Sequence, residues 1–472
     1  MDGDTSLMRT PAHAVVLGGG LAGTLAAAAL SSHMGKVTIV ERYHLPDGPG
    51  TRRGVPQARH AHLMWSGGAR AIESLLPGTI RRWTAAGARE IGVPSGLVSL
   101  TAQGWLRRGP RMQFIIICSR DLLDWVVRKE VLANNRITMA PPGQAIALLG
   151  NPARVTGVRV RDEASGRETE LQADFVVDAT GRTSQASSWL ANLGLTAPAE
   201  ETVDSGLTYA TRIFQAPKGT PPDFPLINVQ ADHLAARPGQ SATLIPIENR
   251  RWLVTLSGTR GGEPPTDASR FVDFARGVRH PIVGDLIARA RPDSPVYSSH
   301  STANRRRYFE RLPHWPDGFI VLGDAVATYN PIYGHGMSVA ARSAAALHHG
   351  LAQHSMRPGA ARRIQRTIAG TTEGAWTTAT SQDVLYPQAI GAPPTMAARL
   401  LQRYVDRLVR TASDRPAAAA AFYGAFALSK PMSQLLSPKA ALATLLGPTR
   451  PALSTPPLSD ELLFFASPCS AR

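Results

Sequence analysis

Cysteine is almost missing: Cys118 and Cys469 are the only two in 472 residues. Two thiols cannot build a disulfide framework or a cysteine-rich zinc site. Cys118 closes an apolar run at residues 114–117 and reads as a buried thiol, and both cysteines suit a reducing cytoplasm. Lysine is scarce too, supplying 5 of the 51 cations, so arginine carries nearly all the positive charge. No apolar run is long enough to span a bilayer unbroken. The best candidate, residues 12–30, is punctuated by Gly18, Gly19, Gly20 and Gly23. The first ten residues hold Asp2, Asp4 and only Arg9, which is not the basic start of an export signal. A soluble, cytoplasmic chain without a transmembrane segment is expected.

What is present narrows the class further. Hydrophobic residues make up 43% of the chain, enough for a large core and too many for intrinsic disorder. The length corresponds to roughly three domains at about 150 residues each. Fifty-one cations against 35 acids leave a charge of +16. The cations are scattered in short clusters such as Arg52-Arg53, Arg107-Arg108 and Arg305-Arg306-Arg307. Without a basic tail or an aromatic-interleaved stripe, nucleic acid is not an expected partner. An acidic protein or a membrane surface is compatible with the charge.

Hydrophobic periodicity organises the chain. Residues 12–17 and 37–40 are apolar strand runs on either side of an alanine-rich helix at 21–30. Residues 120–132 alternate as an amphipathic helix. Residues 155–160 and 168–171 flank a polar turn, giving a hairpin, and 175–177 is a buried strand. Strand-like runs fill residues 206–257, with a turn at 248–250. A short strand at 319–322 precedes a helix at 337–349, and beyond residue 350 helices alternate with Pro/Ala-rich spacers at 416–421 and 448–457. No repeat is present.

Gly18-Gly19-Gly20-Leu21-Ala22-Gly23 follows the first strand and opens the first helix. In such a turn Gly18 permits the tight bend, Gly20 admits a pyrophosphate to the backbone, and Gly23 lets helix meet strand. The unpaired N–H groups of Leu21 and Ala22 at the helix start suit phosphate. Glu41 ends the second strand, 23 residues after Gly18, placed to accept ribose hydroxyls, with Arg42 next to it. Much later, Gly323-Asp324-Ala325 follows a strand and precedes Pro331, Gly334, Gly336 and a helix opened by Met337. An Asp at a strand end can accept a ribityl hydroxyl, and glycines at a helix start leave room for a planar ring.

This order of motifs resembles FAD-dependent aromatic hydroxylases and their relatives over residues 12–350. The fold implied is α/β: a Rossmann-like, para-hydroxybenzoate-hydroxylase-like FAD domain with an inserted β-rich substrate domain and a helical C-terminal region. Expected limits are 1–185 and 301–350 for the FAD domain, 186–300 for the substrate domain and 351–472 for the helices. The resemblance puts Gly18, Gly20 and Gly23 at the pyrophosphate, Glu41 at the adenosine ribose and Arg120 near the ADP half. It puts Asp324 on the ribityl chain, with Pro331, Gly334, Gly336 and Met337 beside the isoalloxazine, and Arg53 and Gln57 within reach of the cofactor. Two positions depart from the family pattern: Thr180 in Ala179-Thr180-Gly181 replaces the usual Asp, and Ser338 stands where many relatives carry Asn. The first weakens the case for direct NADPH binding, so electrons come from NAD(P)H directly or through a separate flavin reductase.

The stretches 53–62 (RGVPQARHAH) and 330–338 (NPIYGHGMS) resemble bacterial epoxidases of polyether ionophore biosynthesis, of the monensin and lasalocid type, distant relatives of squalene epoxidase. That resemblance implies stereoselective epoxidation of a linear polyene polyketide with O₂, through a C4a-hydroperoxide of the reduced flavin. It implies no catalytic side chain and no metal, so His60 and His62 are expected to be hydrogen-bonding histidines. An acyl carrier protein is a possible partner. Tyr209, Phe214 and Trp252 are candidate walls of the substrate site, and the apolar C-terminal helices, with 462–465, are candidates to cap a tunnel or rest on a membrane. Other readings stay open: a hydroxylase or polyprenyl-type reductase of the same superfamily, or a flavin redox sensor. A flavin halogenase lacks support, since no two tryptophans stand two apart.

Overall fold

A computed structural model describes residues 12–300 and 302–458; Cys469 and the apolar run at 462–465 lie outside the described residues. The sheet that organises the molecule is five-stranded and all parallel. Its centre is His13–Leu17, flanked on one side by Lys36–Val40 and Ile137–Met139 and on the other by Phe175–Asp178 and Phe319–Val321. Strands buried on both faces read as continuous apolar runs, and VVL, FVV and FIV are such runs. The helices Leu21–Ser31 and Gly336–His354 pack on this sheet in one large core. The last strand arrives about 300 residues after the first, so separated segments build a single domain.

The edge of this sheet is closed by a side chain. Gln365, on the helix Ala360–Asp383, accepts the Val321 N–H at 2.9 Å and donates to the Val321 carbonyl at 3.0 Å. One buried amide thereby acts as a one-residue mock strand and leaves no open template for another chain.

A three-stranded antiparallel sheet, Gly143–Asn151, Arg154–Asp162 and Glu168–Gln172, contains the expected hairpin plus one further strand. The β-rich insertion forms an eight-stranded mixed sheet. Its middle is Thr208–Gln215, Gln240–Ile247 and Arg251–Gly258, the last two joined through Asn249 and Arg250 at φ 61° and 53°, where a tight hairpin needs the left-handed region. It also recruits Leu97–Thr101 and Gly104–Trp105, from before the expected limit at residue 185.

Strand alternation corrects two of the three expected substrate walls. Phe214 and Trp252 are cross-strand partners on one face, buried against Phe224, Phe271 and the helices Phe271–Gly277 and Ile282–Ile287. Tyr209, Thr211 and Thr255 occupy the opposite face, turned towards His60. Phe214 and Trp252 are therefore core residues, because a side-chain period of two sends them away from the Tyr209 face.

The C-terminal region is helical: Ala360–Asp383, Met396–Ala412, Pro416–Phe426 and Pro438–Leu446. The expected spacer at 416–421 is instead the start of a helix. Pro416 sits in the first turn, where its missing N–H costs nothing, and the alanines after it are strong helix formers. Among the described residues no helix is long and apolar enough to cross a membrane.

Trp252→Ala is expected to cost about 3–5 kcal/mol of unfolding free energy through the cavity it leaves. Denaturant titration measures the loss. A wall residue would instead show near-native stability.

Candidate functional site

The glycine turn is shaped by what surrounds it. Gly18 has φ +96°, and a Cβ there would lie 2.7 Å from the Ala179 carbonyl. A Cβ on Gly23 would run into the Gly18 carbonyl. Gly20 differs: its φ is −72° and nothing lies within 4 Å of where a Cβ would stand. Its lack of a side chain keeps space open directly before the N-terminus of Leu21–Ser31, where no side chain caps the helix. Leu21 is buried, and Ala22 packs beneath Gly323, whose own Cβ would fall 2.9 Å from the Ala22 methyl.

Glu41 closes the second strand. Its Oε2 accepts the Gly19 N–H at 2.7 Å and pairs with Arg52 at 3.2 Å, and its Oε1 accepts the Tyr43 N–H at 3.3 Å. Glu41 borders a groove of about 620 Å³ between the loop at residues 43–47 and the helix Arg120–Leu132, with Met139, Ala140 and Pro142 at its end. Of the arginine doublet, Arg52 is buried at this carboxylate with its Nε unpartnered, whereas Arg53 is exposed and stacks over Tyr43 at 4.8 Å. Arg53 therefore sits on a residue of the groove lining, while the preceding guanidinium, Arg52, is the one paired with Glu41. Arg42 points to Glu163, with its Nε 3.1 Å from Oε2, and Gln57 is exposed on the short turn Pro56–Arg59.

Arg120 opens its helix after Ser119, whose hydroxyl accepts the Leu122 N–H, and its Nε pairs with Asp124 at 2.7 Å. Its charge also acts on Asp324 across the chain. Burial raises the Asp324 pKa, and Arg120 and Arg182 oppose that rise. The Asp324 side chain is half-buried, and its carboxylate takes no hydrogen bond among the described residues. It lies beside two glycines: Cβ atoms on Gly336 and Gly181 would stand 3.8 Å from its Oδ1 and 3.9 Å from its Cβ. An unengaged carboxylate at a strand end, facing a helix start free of side chains, can accept the hydroxyls of a ligand laid across it.

The turn from Asn330 to Gly336 is pinned from a distance. Asp383, at the end of Ala360–Asp383, is buried and accepts hydrogen bonds from three side chains. They are Asn304 Nδ2 at 2.7 Å, Asn330 Nδ2 at 2.8 Å and Tyr333 Oη at 3.0 Å. Burial lifts its pKa to about 6 against the pull of those three donors. Pro331 is exposed at the outer side of the turn, Gly334 has φ +67°, and Met337 is buried on the following helix. His335 donates its Nε2–H to the Phe426 carbonyl, 2.8 Å away, and packs with Trp65 and Phe426. Ser338 is buried and its Oγ accepts the Trp65 N–H at 3.1 Å.

A chain of hydroxyls ties residues 53–62 to the mixed sheet. His60 Nδ1 is 2.8 Å from Thr211 Oγ1, which is 2.7 Å from Thr255 Oγ1, which accepts the Ala61 N–H at 3.1 Å. Burial and the Arg59 charge lower the His60 pKa to about 4, so it is neutral at pH 7. Tyr209 lies beside His60 with its hydroxyl buried and unpartnered. His62 bonds to the His60 carbonyl at 2.9 Å. Thr180 donates from both N–H and hydroxyl to the buried Asp178. Sequence reasoning missed Arg52, Asp383 and the Thr211–Thr255 pair; only the doublet at 52–53 carried a signal.

The parallel sheet with a glycine turn, a ribose-type acid and a second glycine helix defines a dinucleotide-binding oxidoreductase fold. The chain matches the model of the FAD dependent oxidoreductase family over residues 14–248. It is 31% identical to Protein Rv3254 of Mycobacterium tuberculosis over 435 residues, covering 88% of this chain and 89% of that one. The chain belongs to the FAD dependent oxidoreductase family. It is also 27% identical to kynurenine 3-monooxygenase of Salinispora arenicola, over 73% of this chain and 74% of that protein. Among solved structures it resembles PqsL, a probable FAD-dependent monooxygenase from Pseudomonas aeruginosa. The TM-score is 0.56 at 19% identity, over 79% of this chain and 94% of that one.

The residues fit the family's cofactor. The open space at Gly20, the uncapped helix start, the unpartnered Arg52 Nε and the Asp324 carboxylate, which takes no hydrogen bond among the described residues, are four open or unsatisfied positions of the right chemistry. FAD would lie with its pyrophosphate at Gly20, its adenosine ribose at Glu41 and its ribityl chain at Asp324.

Three outcomes are expected. Gly20→Ala leaves the thermal unfolding of the apoprotein near wild type, because the new methyl meets open space, yet weakens FAD binding measured by flavin fluorescence. Asp383→Asn sets an amide N–H₂ among three donors and loosens the turn they hold by about 1–3 kcal/mol, expected as a roughly 5- to 150-fold loss of FAD affinity in the same titration. Acid also destabilises the fold: His335, like His60, is buried with its pKa lowered to about 4. Unfolded histidines take up protons below about pH 6.5 while these two do not, so stability falls from pH 6.5 towards 4. Asp383, with its pKa raised to about 6, and Asp121, Asp178 and Asp324, also raised, contribute the opposite slope, against His13, His33, His62 and His280, which are lowered like His60 and His335. A pH series of denaturant midpoints, with His60→Gln flattening the slope, checks the sign.

Proposed function

We propose that the chain is an FAD-dependent monooxygenase that epoxidises alkenes of a linear, lipophilic polyene polyketide. The observation that carries this reading is the placement of residues 53–62, one of the two stretches resembling polyether epoxidases. His60 and Ala61 are hydrogen-bonded to Thr211 and Thr255 on the sheet face opposite the Phe214–Trp252 core. The second such stretch, 330–338, is the turn held by Asp383. The kinship with a kynurenine 3-monooxygenase supports oxygen transfer in general.

Reduced FAD with O₂ would supply an electrophilic oxygen, the part of the chemistry that no amino acid side chain provides. The protein's part is placement. Gly20 and the start of Leu21–Ser31 would anchor the pyrophosphate, Glu41 with its partner Arg52 the adenosine ribose, and Asp324 the ribityl chain. Asp383 fixes the Asn330–Gly336 turn through Asn330 and Tyr333, and that turn would flank the flavin ring. The His60–Thr211–Thr255–Ala61 chain stitches residues 53–62 to the sheet. A neutral His60 donates or accepts a hydrogen bond at pH 7 without supplying a proton. Electrons would come from NAD(P)H through a separate flavin reductase or directly. Thr180, bonded to Asp178 where relatives carry an acid, favours the former.

The test incubates FAD-loaded protein with a flavin reductase, NADH, O₂ and an E,E,E-polyene surrogate, and follows product mass. Gain of one oxygen per reacted alkene, with an epoxide opened by acid, is expected. Gain of two hydrogens, or hydroxylation of an aromatic substrate with the polyene untouched, overturns the reading.

A further inference from the structure

Apolar exposure on this molecule is not scattered. Of the ten large aliphatic side chains left exposed among the described residues, eight lie between Ile390 and Leu446. They fall in stripes. Met396 and Leu400 stand one turn apart on the helix Met396–Ala412, and the same stripe continues through Arg403 to Arg407. The Arg407 guanidinium then donates to the Thr444 and Leu445 carbonyls, both at 2.7 Å, at the end of Pro438–Leu446. There the exposed face carries Lys439, Leu442, Leu445 and Leu446. The two stripes therefore meet. Leu445 and Met396 are more than two-thirds exposed, at 71% and 72%.

The charge on the same region has one sign. Residues 390–450 hold eight cations, six Arg and two Lys, against Asp406 and Asp414, a balance of 8 − 2 = +6. Both acids are occupied inside the structure: Asp406 accepts from Gln103 and Gln402, and Asp414 from Thr449. Arg399, Arg403, Arg410, Lys430 and Lys439 have no side-chain partner among the described residues.

We propose that this face docks on an anionic lipid bilayer. The geometry is that of an interfacial helix pair. Leucines enter the acyl boundary, while arginine and lysine stems run along apolar surface and place their charges at anionic headgroups. A second copy of the chain is a poor occupant, because a symmetric interface would set one cationic face against another. An acidic protein would satisfy the cations but has no evident use for leucines projecting from two helices. The docking does not depend on the proposed epoxidation. It would place the site where lipophilic molecules collect.

The experiment is flotation of the full-length, FAD-loaded protein with vesicles of phosphatidylcholine alone or with about 30% phosphatidylglycerol. Co-flotation with the anionic vesicles only, weakened when salt rises from about 0.1 to 0.5 M, is expected. Leu442→Asp/Leu445→Asp should cut the bound fraction about tenfold while flavin content and unfolding temperature stay unchanged, since both side chains face solvent. Three results overturn the proposal: no flotation with anionic vesicles, equal flotation with neutral ones, or full binding by the double variant. Light scattering that shows a dimer lost in that variant, without vesicle binding by the wild type, assigns the face to self-association and also overturns it.

Discussion

Three distant parts of the chain meet at one point, and the fold depends on how closely they approach. Gly18 lies against the Ala179 carbonyl, Gly23 against Gly18, and Ala22 against Gly323. The first crossover helix, the end of the fourth strand and the end of the fifth are thereby packed at backbone distance. A single methyl at Gly18 or Gly23 would force strand or helix aside. Gly20, in the same turn, is under no such constraint. That contrast separates glycines required by packing from one whose absent side chain leaves room for a ligand.

The second dependency runs through polar groups. Asp383 belongs to a helix outside the parallel sheet, yet it holds the turn that follows the fifth strand. Gln365, five turns earlier on the same helix, seals that strand's edge. One helix therefore completes both the sheet and the loop beside the proposed flavin ring. A buried carboxylate surrounded by three donors is fully served, which is why it persists ionisable inside the protein at modest cost.

Much of this was legible in the sequence, because the relevant signals are local. The apolar runs of the parallel strands, the glycine turn and the amphipathic helix Arg120–Leu132 each declare themselves within a dozen residues. What was not legible depended on long-range geometry. Nothing local distinguishes Arg52 from Arg53, and only the fold shows which guanidinium turns inward. Aromatic character suggested Phe214 and Trp252 as ligand walls, whereas strand parity put small hydroxyl residues on the face towards His60. Pro416 looked like a breaker because its neighbours are low in complexity, though a proline in the first turn favours a helix. Asp383 ends a helix with no motif around it, so its partners at 304, 330 and 333 were invisible.

The late fifth strand has a consequence for biosynthesis. Phe319–Val321 pairs beside Phe175–Asp178, but some 140 residues of the mixed sheet separate them in the chain. At about 5–20 residues per second, the ribosome delivers one edge of the central sheet roughly 7–30 seconds before its neighbour exists. During that interval Phe175–Asp178 is an apolar strand with an unpaired edge. Nascent chains with such edges are clients for holding chaperones. Yield in a foreign host should therefore be governed as much by translation rate and chaperone supply as by the stability of the finished fold.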